Sequence, residues 1–156
     1  MIRISKYISY SEATKSQTAI RYGLDNNPSP KHLESMQYVA KHVFDPVREH
    51  FGIPIGVSSF YRSEAVNKKI GGSKSSQHRI GEAIDIDADM FGQITNQQIF
   101  EYIKDNLEFD QMISEYPTGD EPSWVHVSLS KFRNNRKEIL VAFKNSEGKT
   151  KYKYWK

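Results

Sequence analysis

The chain has 156 residues, with 22 lysines and arginines against 19 aspartates and glutamates, a formal net charge of +3 and no cysteine. A chain of this length can bury most of the surface its unfolded form exposes, so a single domain that needs no covalent staple is expected. The lack of cysteine excludes disulfide frameworks, thiol catalysis and thiolate metal sites, and the mild positive excess suits an anionic partner without calling for nucleic acid.

The opening stretch MIRISKYISYSEATKS has no apolar core of the length a signal peptide requires, and no run anywhere approaches the ~20 apolar residues of a membrane span. Ser11 to Tyr22 reads as one short surface helix, with Ser11 as N-cap and Gly23 in the left-handed position that ends it. NNPSPKHLESMQYVAKHVFDPVREHFG carries a stronger helical signal. Ser29 can cap it, Pro30 suits its first position, and Leu33, Met36, Ala40, Val43, Phe44 and Val47 recur on one stripe, predicted to be buried. Pro46 should kink or break that helix. IPIGVSSFY has the branched and aromatic content of a strand, and a short helix from Ser63 to Lys69 follows, stopped by Gly71 and Gly72.

GEAIDIDAD alternates apolar and acidic residues and reads as a second strand, with Asp85, Asp87 and Asp89 on a wet face and Ile84 and Ile86 on the other. Thr95 and Gln98 resemble a capping box opening the helix NQQIFEYIKDNL. FDQMISEY and WVHVSLS then form an antiparallel hairpin across the turn-rich PTGDEPS, and the basic and aromatic tail fits one more hairpin around NSEGK. The expected fold class is α+β: a small, mainly antiparallel sheet, with the long helix packed on the face opposite a functional site.

The chemistry concentrates in SSQHRIGEAIDIDAD. Gly81 stands between His78 and Asp85, so a histidine closing a loop and an aspartate entering a strand can point into one space. Imidazole and carboxylate are ordinary zinc ligands, but a catalytic zinc wants three protein ligands and an open position. The third candidate is His126, which period-two alternation sends to the face opposite Val125 and Val127. Taken singly, such a histidine is more often a hydrogen-bonded structural group, and His32, His42 and His50 on the long helix read as packing or surface residues. A calcium loop starting at Asp85 is rejected because its sixth and twelfth places hold Met90 and Asn96, and a phosphate loop in GGSKSS because Ser73 precedes the lysine.

Three ordered blocks, SSFYRSEAVNKKIGG, SSQHRIGEAIDID and WVHVS, resemble the zinc D-Ala-D-Ala carboxypeptidase and endolysin group of the M15 peptidases, a class shared with the Hedgehog signalling domain. The resemblance runs from about Pro28 to Ser130, and the signature of serine, any residue, histidine, six residues and aspartate is met by Ser76, His78 and Asp85, with Gly81 and Ala83 inside it. It implies that His78, Asp85 and His126 bind Zn²⁺, that Arg62 faces the substrate and that Ser76 helps hold it. Arg62 could instead form a surface ion pair with Glu64 or Asp87.

One position departs from the pattern. Several members carry the catalytic glutamate three residues before the last histidine, where this chain has Ser123. The acid/base role is then expected of Glu115, with Glu121 and Asp120 as alternatives. The resemblance implies a monomeric zinc peptidase cutting peptidoglycan peptides that contain D-amino acids, as a carboxypeptidase or an endopeptidase. It would be a phage-type lysin made in the cytoplasm and acting on the cell wall, or a virion component. The rival is a zinc-containing wall- or protein-binding module that does not cut, a reading kept open by Ser123.

Overall fold

The computed structural model describes residues 3–156. Helices α1 (Tyr10–Thr14), α2 (Gln17–Tyr22), α3 (Pro30–Val39) and α4 (Asp45–Phe51) precede strand β1 (Gly56–Ser59) and helix α5 (Glu64–Lys69). Then come β2 (Ala83–Asp87), α6 (Asn96–Asn106), β3 (Gln111–Glu115), β4 (Trp124–Ser128), β5 (Glu138–Lys144) and β6 (Thr150–Tyr154). The strands form one six-stranded sheet in the order β1-β2-β4-β3-β5-β6. Among the described residues only the β3–β5 pair is parallel. The architecture is therefore α+β with a mostly antiparallel sheet, as the patterning predicts.

The segment expected as one helix from Ser11 is two. Ser9, not Ser11, caps α1 through a reciprocal box with Glu12, and after an extended Lys15 the side chain of Ser16 accepts from Ala19 N and starts α2. A second serine able to cap resets the chain where a continuous helix would have needed no new N-terminus. Gly23 does end α2 in the left-handed conformation.

Ser29 caps α3 and Pro30 opens it, as expected. The α-helix is interrupted just before Pro46, as its position predicts. Residues Ala40–Phe44 widen into a π-helical turn, in which Asp45 N donates to Ala40 O, and α4 continues from there. A proline has no N–H for the carbonyl four residues back and crowds it, and the wider turn absorbs that mismatch. The stripe survives: Met36, Ala40, Val43 and Val47 are fully buried with Phe44, while Leu33 is partly buried against them.

Ile84 and Ile86 of β2, Met112 of β3 and Val125 and Val127 of β4 join this helical stripe and Ile99 and Ile103 of α6 in one core. The capping box of Thr95 and Gln98 at the start of α6 is present in both halves. One side of the sheet is thereby committed to the core, and alternation turns the intervening side chains to the other side. The acidic run is shorter than its pattern. β2 stops at Asp87, and Asp89 sits exposed in a 3₁₀ turn where Asp87 accepts its N–H, so Asp89 does not extend the strand face.

Candidate active site

His78 lies in a single 3₁₀ turn, Gln77–Ile80, started by Ser76, whose Oγ accepts from His78 N at 3.3 Å. Gly81 ends the turn at φ +77°, and a Cβ there would come within 2.5 Å of the His32 carbonyl oxygen. Only glycine meets both the left-handed backbone and that close approach. The imidazole is 2% exposed and its Nδ1 lies 2.7 Å from the Phe60 carbonyl. Since a carbonyl only accepts, Nδ1 carries the proton, and Nε2 offers its lone pair to the cleft.

Asp85 and His126 are direct cross-strand partners in β2 and β4. Asp85 Oδ1 is 3.3 Å from His78 Nε2 and 3.0 Å from His126 Nδ1. Burial works against the Asp85 carboxylate, but with the histidines protonated the charge of His78 and hydrogen bonds from both rings outweigh it and hold its pKa below the ordinary carboxylate range. The donor atoms of His78, Asp85 and His126 all lie within 4.8 Å of one another and could hold a metal ion. Ligands about 2.0 to 2.1 Å from a tetrahedral zinc stand roughly 3.3 Å apart, and the separations of Asp85 Oδ1 from the two histidine nitrogens, 3.3 and 3.0 Å, are of that size. The Phe60 carbonyl is the outer partner that fixes the first imidazole.

These residues open into a cavity of about 580 Å³ that Arg62, Ser76 and Glu115 also line. Glu115 is the last residue of β3 and faces the same side of the sheet as Ile113, the partner of His126. Burial raises its pKa to about 7; the charges of His126 and Arg62 oppose that rise, and Asp85 adds to it. Arg62 makes neither of the ion pairs considered for it: Glu64 pairs with Arg79 at 2.9 Å, and Asp87 accepts from Asn96 Nδ2 at 3.0 Å. Its Nη2 donates to Ser76 Oγ at 3.4 Å, its Nε is buried without a partner, and burial lowers its pKa. An unpaired guanidinium in a cleft is a receptor for negative charge.

The two alternative carboxylates lie elsewhere. Glu121 accepts from the N–H groups of Asn96 and Gln97 at 3.0 and 3.2 Å, where it caps α6. Asp120 is exposed and lines a separate cavity. Ser123 Oγ donates to the Tyr116 carbonyl at 2.8 Å and shapes the β3–β4 turn. His32 contacts the Tyr61 hydroxyl at 3.3 Å, His42 packs on Tyr38 and His50 stacks on Tyr102. Sequence reasoning missed the contribution of the tail, since Leu140, Thr150 and Tyr152 line the cavity too. The alternation of KTKYKYWK, which puts Thr150 and Tyr152 on one face, was the signal available.

A family model described as Peptidase M15 matches residues 6–128. No curated protein matches the chain.

Proposed function

This chain belongs to the M15 peptidases, and we propose that it is a zinc-dependent peptidase that cuts D-amino-acid-containing peptides of bacterial peptidoglycan, as a D,D-carboxypeptidase or an endopeptidase. The observation that carries this reading is the meeting of a His-Asp-His donor set with a half-buried carboxylate and an unpaired arginine in one cleft.

His78 through Nε2, Asp85 through Oδ1 and His126 through Nδ1 would hold the ion. Zinc, when bound, supplies a Lewis acid that polarises a carbonyl and makes water acidic near neutral pH. Glu115 does the proton work. With a pKa of about 7, its carboxyl group takes a proton from water and gives one to the departing amine at neutral pH, a contribution commonly of roughly 10² to 10⁴ in rate. Arg62 binds the terminal carboxylate of the substrate or the oxygen that gains charge as the carbonyl is attacked, and Ser76 holds the guanidinium in place. Glu115 supplies the carboxylate absent at position 123, which is why a catalytic role is favoured over a binding module.

The test is Glu115→Gln with metal analysis. Zinc content and fold should be kept while hydrolysis of wall peptides falls by two orders of magnitude or more, on the order of the acid/base contribution. Unchanged hydrolysis would move the proton role to another group.

A further inference from the structure

We propose that the β5–β6 hairpin, which lies outside the segment matched to the family, forms the far end of the substrate cleft and binds the peptide residues N-terminal to the scissile bond. This rests on the peptidase reading above and adds the length and placement of the substrate.

The sheet register builds the surface. Asp85, His126, Ile113 and Leu140 are successive cross-strand partners on β2, β4, β3 and β5, so their side chains form one row on the cleft side. A second row runs beside it through Trp124, Glu115, Ala142 and Tyr152 on β4, β3, β5 and β6. Beyond Glu115, both rows turn apolar or aromatic. Three strand spacings separate β4 from β6, about 14 Å, and an extended peptide covers that in about four residues at roughly 3.3 Å each. Arg62 follows β1 in the chain, and β1 and β6 are the two edges of the sheet. A substrate whose carboxylate or carbonyl end is held by Arg62 lays its N-terminal part toward β6.

The hairpin is tied to the catalytic strand. Tyr116, directly after Glu115, has φ +46°, an uncommon conformation for a tyrosine. Its N–H donates to Ala142 O at 2.9 Å, and its hydroxyl lies 2.7 Å from Thr150 Oγ1. These bonds hold β5 and β6 in place beside the glutamate. Tyr152 is 57% exposed and lines the cavity, so its ring is free to be covered by a peptide, and its loss should not threaten folding.

The experiment uses synthetic stem peptides ending in D-Ala-D-Ala, lengthened one residue at a time at the N-terminus up to five residues, with the full zinc-loaded chain. For wild type, kcat/KM should rise about 3- to 10-fold as the peptide reaches the hairpin, the worth of one aromatic contact. In Tyr152→Ala the rise should vanish; in Tyr152→Phe it should persist. Tyr22→Ala, an exposed aromatic on α2, should behave as wild type. Equal length dependence in wild type and Tyr152→Ala overturns the inference. Calorimetric binding of the same peptides to Glu115→Gln, with and without Tyr152→Ala, separates the two readings. Affinity that grows with length only when Tyr152 is present supports the hairpin site even if no peptide is cut, whereas cleavage with no length-dependent affinity overturns it and leaves the peptidase standing.

Discussion

Asp85 and His126 stand directly opposite each other in β2 and β4, with Asp85 Oδ1 3.0 Å from His126 Nδ1. Because the register fixes both side chains to the cleft side, the pair is set by the sheet, and His78 completes the donor set from a turn anchored on the Phe60 carbonyl.

Alanine at His78, Asp85 or His126 should each weaken zinc binding by more than the roughly 10- to 100-fold typical of losing an outer partner. Alanine at His32, His42 or His50 should leave it unchanged, since those rings contact Tyr61, Tyr38 and Tyr102. Zinc titration of each purified variant checks the contrast. Full zinc occupancy in His78→Ala or His126→Ala at limiting metal would remove the three-ligand assignment.

The half-buried Glu115 also predicts a pH dependence of stability in metal-free protein. Its folded pKa, about 7, lies above its ordinary 4.5, so folding favours the protonated form. The stabilisation is full below pH 4.5, declines as pH rises between the two values, and is gone above pH 7. The change is at most roughly 3 kcal/mol. Urea unfolding in chelator at pH 5 and pH 8 should show this loss in wild type and a much smaller one in Glu115→Gln. Parallel pH profiles for the two proteins would contradict it.

Much of this was readable because its causes are local. The stripe of Met36, Ala40, Val43 and Val47, the capping box of Thr95 and Gln98, and the alternation that turns His126 away from Val125 and Val127 each depend on neighbours a few residues apart. The turn chemistry of Gly81 is likewise local. What escaped depended on distant partners or on close local competition. Glu121 looked available for catalysis until α6 presented two free N–H groups to it. The parallel pairing of β5 with β3 brings the tail to the cleft, and no pattern within the tail announces a partner 27 residues earlier, such as Gln111 for Glu138. Buried Asp110, which accepts from Gln77 Nε2 at 2.9 Å and pairs with Arg136 at the same distance, steadies the turn before His78 by contacts equally remote in sequence. The split of the first helix at Ser16 was a contest between two capping serines that spacing alone does not decide.

Arg62→Met should trade function for stability. The guanidinium is half-buried with Nε enclosed and unpartnered, so replacing it with an apolar chain of similar length removes a partly desolvated charge and should hold or raise Tm. Peptide hydrolysis should fall by about 10²- to 10³-fold, the scale of losing one donor to developing charge. Arg62→Lys should recover only part of this, because an ammonium lacks the two-pronged contact. A variant with lower Tm and intact turnover would assign Arg62 a structural role.

Gly81→Ala should damage fold and metal site together. The left-handed backbone costs an alanine roughly 1 to 2 kcal/mol. In addition, its Cβ would press on the His32 carbonyl, a backbone atom with little freedom to move. Thermal unfolding should shift downward, and zinc affinity should drop because the turn carrying His78 ends at this residue. A normal Tm and normal zinc affinity would contradict the account of this turn.

The proposed activity is cleavage of wall peptides in the cleft through a metal held by His78, Asp85 and His126. Incubating the purified protein with peptidoglycan and identifying newly formed peptide termini by mass spectrometry tests it most directly. New termini at bonds involving D-amino acids should form with zinc, disappear with chelator and return when zinc is restored. Protein carrying one zinc per chain that releases no new termini from several wall types would contradict it.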